Sequence, residues 1–129
     1  MSFLVDTNIL IYHAAGSLVA KGFLADLIAR RAFYISVITR IEFLGWHAQT
    51  ADGFDKCQRL VNLSTVLPVT QEVADKAIEL RRRRNVKLAD AIIAATAVVS
   101  ELKLVTRNVD DFTDLTAYGI LNPFQPVSQ

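Results

Sequence analysis

The chain has 129 residues, of which 52% are hydrophobic, and this composition excludes an intrinsically disordered protein. Fourteen Lys and Arg residues nearly balance 13 Asp and Glu residues, so the net charge of +1 excludes a histone-like polycation and an acidic solvating tail. A single cysteine, Cys57, allows neither an internal disulfide nor a cysteine zinc site, which predicts a cytoplasmic protein. The length predicts one domain over residues 1–129.

Short apolar runs that do not alternate with polar residues predict four buried strands, in chain order at residues 3–5, 33–35, 65–67 and 103–105. Residues with helical spacing predict helices over 7–14, 17–31, 37–48, 52–62, 70–84 and 88–100. Strands that alternate with helices require right-handed crossovers, and hence parallel pairing. The sequence therefore predicts an α/β fold in three layers, with a mainly parallel sheet between helices.

Two acidic residues in the first third of the chain are difficult to explain structurally. Asp6 directly follows the first predicted strand, at the edge where open α/β sheets bind ligands. The alternative is that Asp6 only caps the helix that follows. Glu42 interrupts the apolar face formed by Ile38 and Trp46, four residues to either side. An ion pair with Arg40 is the structural alternative, but residues two apart point to different sides of a helix.

Asp90 is the one charged residue in a predicted helix that is apolar nearly all round. The helix dipole favours a carboxylate there by roughly 0.3–1 kcal/mol. Because burial of an unpaired charge costs more than that, we expect a cation nearby. A further acidic region, residues 106–112, contains Asp110 and Asp111 and follows the last predicted strand, so it lies at the same sheet edge as Asp6.

Carboxylates that converge on one sheet edge cannot all stay ionised without a counter-cation. Oxygen ligands select hard ions, so the pattern predicts Mg²⁺ or Mn²⁺. A divalent ion held by carboxylates is typical of phosphate chemistry, in which it activates water and neutralises the charge of the transferred group.

Four motifs relate the chain to known proteins: FLVDTN at residues 3–8, ISVITRIEF at 35–43, KLADAIIAATA at 87–97 and LVTRNVDDF at 104–112. In this order and spacing they closely resemble PIN-domain ribonucleases, specifically the VapC toxins of bacterial toxin–antitoxin pairs. The resemblance covers the whole chain. It implies a PIN-like α/β/α sandwich and a homodimeric endoribonuclease that uses Mg²⁺ or Mn²⁺ and is inhibited by its antitoxin.

The resemblance also implies roles for individual residues. The catalytic and metal-binding acids fall on Asp6, Glu42, Asp90 and Asp111. Asn108 lines the site at a position where many relatives carry Asp, so Asp110 and Asn108 remain alternatives for the fourth ligand. Thr7 and Thr106 are expected to orient carboxylates or water from behind the ligands.

Five positive charges come shortly before Asp90 in the chain, on Arg81, Arg82, Arg83, Arg84 and Lys87. One interpretation is an RNA-binding patch that contacts phosphates and leads to the acidic site. The other is a solvated helix end whose basic residues complement the helix dipole.

An antitoxin of the implied kind wraps the toxin with its C-terminal segment and binds DNA with its N-terminal part. The candidate surface for it is the pair of helices around residues 38–46 and 52–60, which carries Trp46 and Phe54 near Glu42. The alternative is that these two aromatic residues fill the core or a homodimer interface.

Three other functions are compatible with the same residues. The first is a PIN-domain nuclease that processes RNA outside a toxin system. The second is a catalytically degenerate domain that only binds nucleic acid or a partner, an interpretation that Asn108 supports but that the retained acids oppose. The third is a phosphatase with an aspartyl nucleophile, which usually requires a second Asp two residues after the first, where this chain has Asn8.

Overall fold

The structure, a computed structural model, describes residues 2–125 of the chain. Within this range the strands are β1 (Phe3–Val5), β2 (Phe33–Ser36), β3 (Thr65–Leu67), β4 (Lys103–Val105) and β5 (Ile120–Leu121). The helices are α1 (Thr7–Ala14), α2 (Leu18–Ala29), α3 (Val37–Leu44), α4 (Ala51–Asn62), α5 (Gln71–Arg83), α6 (Leu88–Val99) and α7 (Val109–Phe112). None of these helices is long and apolar enough to cross a membrane.

The five strands form one sheet in the order β3-β2-β1-β4-β5, and every pair of neighbours is parallel. The prediction of an α/β fold with a parallel sheet is confirmed. In the centre of the sheet Val5 pairs with Val105. The residues that follow this pair, Asp6 and Thr106, therefore leave the sheet side by side although they are 100 positions apart.

Side chains alternate across the sheet and build one core on each face. Leu4 and Leu104 are fully buried on the face covered by α5, α6 and α7. Val5 and Val105 are fully buried on the other face, against α1, α2, α3 and α4. Burial on both faces explains why the strands are continuous apolar runs without polar alternation.

The predicted helix over residues 37–48 is too long, because α3 ends at Leu44 and Gly45 is its C-cap. A Cβ atom at position 45 would lie 2.5 Å from the carbonyl oxygen of Ile41, so the turn that ends the helix needs glycine. Trp46 consequently lies beyond the helix. The predicted sharing of one helix face by Glu42 and Trp46 is therefore wrong.

Two elements are absent from the sequence prediction. Helix α7 has four residues and strand β5 has two, and such lengths are too short for a periodic pattern. Gly119 precedes β5 with φ +94°, a left-handed conformation that glycine adopts without strain. Strand β5 pairs with β4 and completes the sheet on that side.

Candidate active site at the carboxyl edge of the sheet

Asp6 is the most deeply buried acid of the predicted site, with 3% of its surface exposed. It occupies the N-cap position of α1, but its side chain makes no capping hydrogen bond. Instead, the Thr106 hydroxyl donates a hydrogen bond of 2.8 Å to Asp6 Oδ2. The same hydroxyl accepts a bond of 3.0 Å from the backbone N–H of Asn108, which directs its own proton toward Asp6.

Burial raises the pKa of Asp6 from 3.8 to about 6. The hydrogen bond from Thr106 lowers this pKa, because it stabilises the ionised form, whereas the charges of Asp90 and Glu42 raise it. Asp6 therefore lies within electrostatic range of two other predicted acids. The surroundings of Asp6 therefore disfavour its ionised form.

Asp90 lies in the first turn of α6 and is half-buried. Burial raises its pKa, the Asp111 and Glu42 carboxylates raise it further, and the Lys87 ammonium lowers it. Asp111 thus acts on the site through Asp90, whereas Asp110 does not contribute to the pKa of Asp90.

Glu42 is exposed on α3 and is oriented by α1. The Thr7 hydroxyl donates a hydrogen bond of 2.7 Å to Glu42 Oε1 and also lies 3.0 Å from the Thr39 hydroxyl. Since Thr7 has one hydroxyl proton and a carboxylate only accepts, Thr39 is the donor between the two hydroxyls. The sequence analysis missed Thr39, although its position three residues before Glu42 puts both on one helix face. Within residues 2–125, Glu42 forms no ion pair with Arg40.

The donor set of this edge consists of carboxylate and hydroxyl oxygens. None of the four ion pairs within the described range involves Asp6, Glu42 or Asp90. Over the same range, no three His, Cys, Asp or Glu side chains stand close enough together to hold one metal ion. In chemical type, the oxygen donors of this edge suit a hard divalent cation, which would supply the positive charge that they lack.

The predicted basic patch is exposed throughout, on Arg81, Arg82, Arg83, Arg84 and Lys87. Arg84 Nη2 donates to the backbone carbonyls of Asp111, at 2.8 Å, and of Thr113, at 3.2 Å. Arg83 Nη1 donates to the carbonyl of Asp114 at 3.4 Å. These bonds tie the end of α5 to the segment that carries Asp111. No motif signals them, because their acceptors are backbone atoms distant in the chain. RNA binding by the patch stays a prediction.

An apolar cavity of about 480 Å³ lies beside the acidic edge and is lined by Glu42, Ile11, Trp46 and Cys57 among others. Trp46 is 60% exposed, so the alternative that it fills the core is wrong. Phe54 is also exposed, on α4, but it does not line this cavity. The predicted antitoxin surface thus contains a groove that ends at one of the acids.

Comparisons with known proteins identify similar sequences and similar folds. Residues 3–117 match the PIN domain family. Ribonuclease VapC10 of Mycobacterium tuberculosis is 34% identical over 114 residues, which cover 84% of each chain. A chain in a toxin–antitoxin complex from Klebsiella pneumoniae has a TM-score of 0.78 and 32% identity, covering 97% of this chain and 100% of that one. A chain of VapBC2 from Rickettsia felis, solved with a promoter DNA fragment, has a TM-score of 0.76 at 19% identity, covering 95% and 98%, and is similar in fold.

Proposed function

The chain belongs to the PIN-domain family, and on this premise we propose that it is a metal-dependent endoribonuclease of the VapC type and the toxin of a toxin–antitoxin pair. The observation that carries the proposal is the buried, unpaired carboxylate of Asp6 beside Asp90 and Glu42. A protein retains such a destabilising arrangement where a ligand compensates its charge.

Asp6, Glu42 and Asp90 would hold the cation, with Asp111 as the fourth acid. When bound there, Mg²⁺ or Mn²⁺ supplies activation of water and neutralises charge on an RNA phosphodiester. The effect of Asp111 on the pKa of Asp90 supports Asp111 over Asp110 in this role. The fit rests on the oxygen donors of this edge.

The two threonines predicted to support the site have distinct tasks in the proposed enzyme. Thr106 fixes Asp6 through Oδ2, and Thr7 fixes Glu42 through Oε1. Each hydroxyl thus restrains one oxygen of its carboxylate. Because ligand sites lose affinity when their supporting hydrogen bonds are removed, both threonines act as positioning residues.

The partner of the proposed toxin is a cognate antitoxin, as in the Klebsiella pneumoniae complex. An apolar side chain of the antitoxin would fill the cavity beside Trp46, and an adjacent basic side chain would pair with Glu42. The implied homodimer remains a prediction. The single cysteine, Cys57, is free and buried, which supports action in the reducing cytoplasm.

Cleavage of labelled single-stranded RNA by the purified protein tests the function. Activity should require Mg²⁺ or Mn²⁺, and it should disappear with EDTA and in the Asp6→Asn variant. The control is Asp26→Asn, which removes an exposed ion pair of α2 and should cut RNA like the wild type. Cleavage that persists in EDTA or in Asp6→Asn would refute the mechanism. RNA binding without cleavage would favour the degenerate domain, and harmless expression of an active nuclease would favour a role outside a toxin system.

A further inference from the structure

Arg107 rests on a pair of aromatic rings that the site described above does not use. Its guanidinium carbon lies 4.5 Å from the centre of the Phe124 ring and 5.2 Å from that of Tyr12. The ring centres are 5.0 Å apart, with an interplanar angle of 61°. These three distances form a nearly equilateral triangle, so both rings lie on one side of the guanidinium and do not enclose it. Cation–π attraction thus holds an exposed planar cation in place.

The same arginine lines a polar cavity of about 340 Å³ with Asn108, Val109, Asp110, Asp111 and Gln125. This volume falls at the lower end of the range of ligand pockets, about 300–1,000 Å³. Asp111 links the cavity to the acidic edge, since its charge acts on Asp90. None of the ion pairs among residues 2–125 involves Arg107 or Asp110, so the cavity contains a cation and a carboxylate that are not paired there.

We propose that the polar cavity is a nucleobase subsite that accepts a guanine of the RNA substrate, an inference that rests on the proposed ribonuclease function. Unpaired bases are bound by stacking on aromatic rings or on arginine planes and by hydrogen bonds to their Watson–Crick edges. Arg107 offers such a plane beside the acidic edge. Its charge also attracts the flanking phosphate.

The choice of guanine follows from the polar groups of the cavity. Guanine alone among the four bases has two adjacent donors, N1–H and the 2-amino group, on its Watson–Crick edge, and a carboxylate accepts both at once. Asp110 provides this carboxylate, because Asp111 belongs to the proposed catalytic set. The side-chain amides of Asn108 and Gln125 can donate to the remaining acceptors of the base.

Binding of free nucleotides tests the subsite without any cleavage. With EDTA present, guanosine 5′-monophosphate should shift the backbone amide signals of residues 107–111 in NMR spectra. Guanosine monophosphate should bind at least about tenfold more tightly than inosine monophosphate, which lacks the 2-amino group, and adenosine monophosphate, which lacks both donors. The reason is that each of these analogues loses a hydrogen bond to a charged group. Equal affinity for the three nucleotides, or shifts confined to other residues, would overturn the proposal.

Two variants assign the contacts. Arg107→Lys keeps the charge but loses the stacking plane, so it should weaken binding of every nucleotide by about tenfold. Asp110→Asn should abolish the preference for guanosine. The matched control is Arg30→Lys, because Arg30 is also exposed and lies over an aromatic ring, Phe3, at 5.8 Å. Wild-type affinity in Arg107→Lys, or an undiminished guanosine preference in Asp110→Asn, would contradict the assignment.

Sequencing of the RNA ends produced from a randomised pool separates this proposal from the ribonuclease function. The wild type should cut with guanine enriched at one position near the break, and Arg107→Lys and Asp110→Asn should cut without that enrichment. If both variants cut with the wild-type pattern, the subsite is wrong and the ribonuclease stands. If the wild type cuts no RNA but binds guanosine monophosphate as expected, the ribonuclease function is wrong and the nucleotide site stands.

Discussion

Replacement of Asp6 by Asn should stabilise the metal-free protein at neutral pH, although it should abolish activity. Asp6 is 3% exposed, and burial together with the charges of Asp90 and Glu42 holds its pKa at about 6. In the unfolded chain the carboxyl group has its ordinary pKa, near 3.8. Folding at neutral pH therefore brings an ionised carboxylate into surroundings that disfavour it.

The free-energy penalty follows from the difference between the two pKa values. One pKa unit corresponds to about 1.4 kcal/mol, so the shift of about two units predicts a penalty of up to about 3 kcal/mol. Asparagine removes this penalty and keeps an oxygen that can accept the hydrogen bond of Thr106. The gain should therefore exceed the cost of the substitution.

The pH dependence has a definite direction. Well below pH 3.8 both the folded and the unfolded state carry the proton, and the penalty is absent. As the pH rises from about 4 to about 6, the unfolded state loses its proton first, so the free energy of unfolding of the wild type falls and then levels off above the folded-state pKa. Asp6→Asn should lack this contribution, so the two proteins should diverge over that window.

Urea unfolding in EDTA at pH values between 4 and 8 measures this difference. Asp26→Asn serves as the control, because Asp26 is exposed in an i,i+4 pair with Arg30 and its replacement should change the free energy of unfolding by less than about 1 kcal/mol. A wild type that is more stable than Asp6→Asn at pH 8, or a difference that does not depend on pH, would refute the reasoning.

Three further predictions concern the cation, the arginine run and the partner. Excess Mg²⁺ or Mn²⁺ should raise the melting temperature of the wild type but not of Asp6→Asn, since a ligand at 100 times its Kd adds about 2.7 kcal/mol of stability; equal shifts would remove the ion from these acids. Arg84→Gln should speed hydrogen exchange of the amides of residues 111–115, because Arg84 donates hydrogen bonds to the carbonyls of Asp111 and Thr113. Arg82→Gln should not change this exchange. Equal exchange in both variants would show that Arg84 does not position the segment. Trp46→Ala should weaken binding of the antitoxin encoded beside the gene by about 2 kcal/mol or more. The melting temperature of the free protein should stay nearly unchanged, because Trp46 is 60% exposed. A large loss of stability in the free protein would show that Trp46 stabilises the fold instead.

The sheet could be predicted from the sequence because its strands are buried on both faces. Residues such as Leu4 and Val5 point to opposite cores, so the middle of a central strand is apolar on both faces, and polar residues such as Ser36 and Lys103 stand at strand ends. The end of α3 was not predictable from periodicity. There the short distance between position 45 and the Ile41 carbonyl decides the boundary, and such a local contact leaves no repeating pattern.

The acids of the candidate site were predictable for a related reason. Asp6 and Asp90 follow or interrupt apolar segments, where a charge has no structural purpose that outweighs its desolvation. The hydrogen-bonding roles of Thr39 and Arg84 were not predictable, since a buried threonine on a helix and an exposed arginine at a helix end are common in any fold. The Thr39 hydroxyl lies 3.0 Å from that of Thr7, and Arg84 donates to a backbone carbonyl of the α7 segment. Both contacts are set by tertiary packing.

On the proposed function, the position of Glu42 links catalysis to inhibition. Glu42 receives the hydrogen bond of Thr7 at the acidic edge, and it also lines the apolar cavity that contains Trp46. A partner could therefore fill that cavity with an apolar side chain and contact Glu42, a proposed cation ligand, without entering the rest of the site. A basic group placed there would neutralise Glu42 and reduce its ability to bind the cation, while Asp6 would stay buried behind Thr106. On this proposal the exposed Glu42 would serve both recognition and chemistry, and the buried Asp6 would serve chemistry alone.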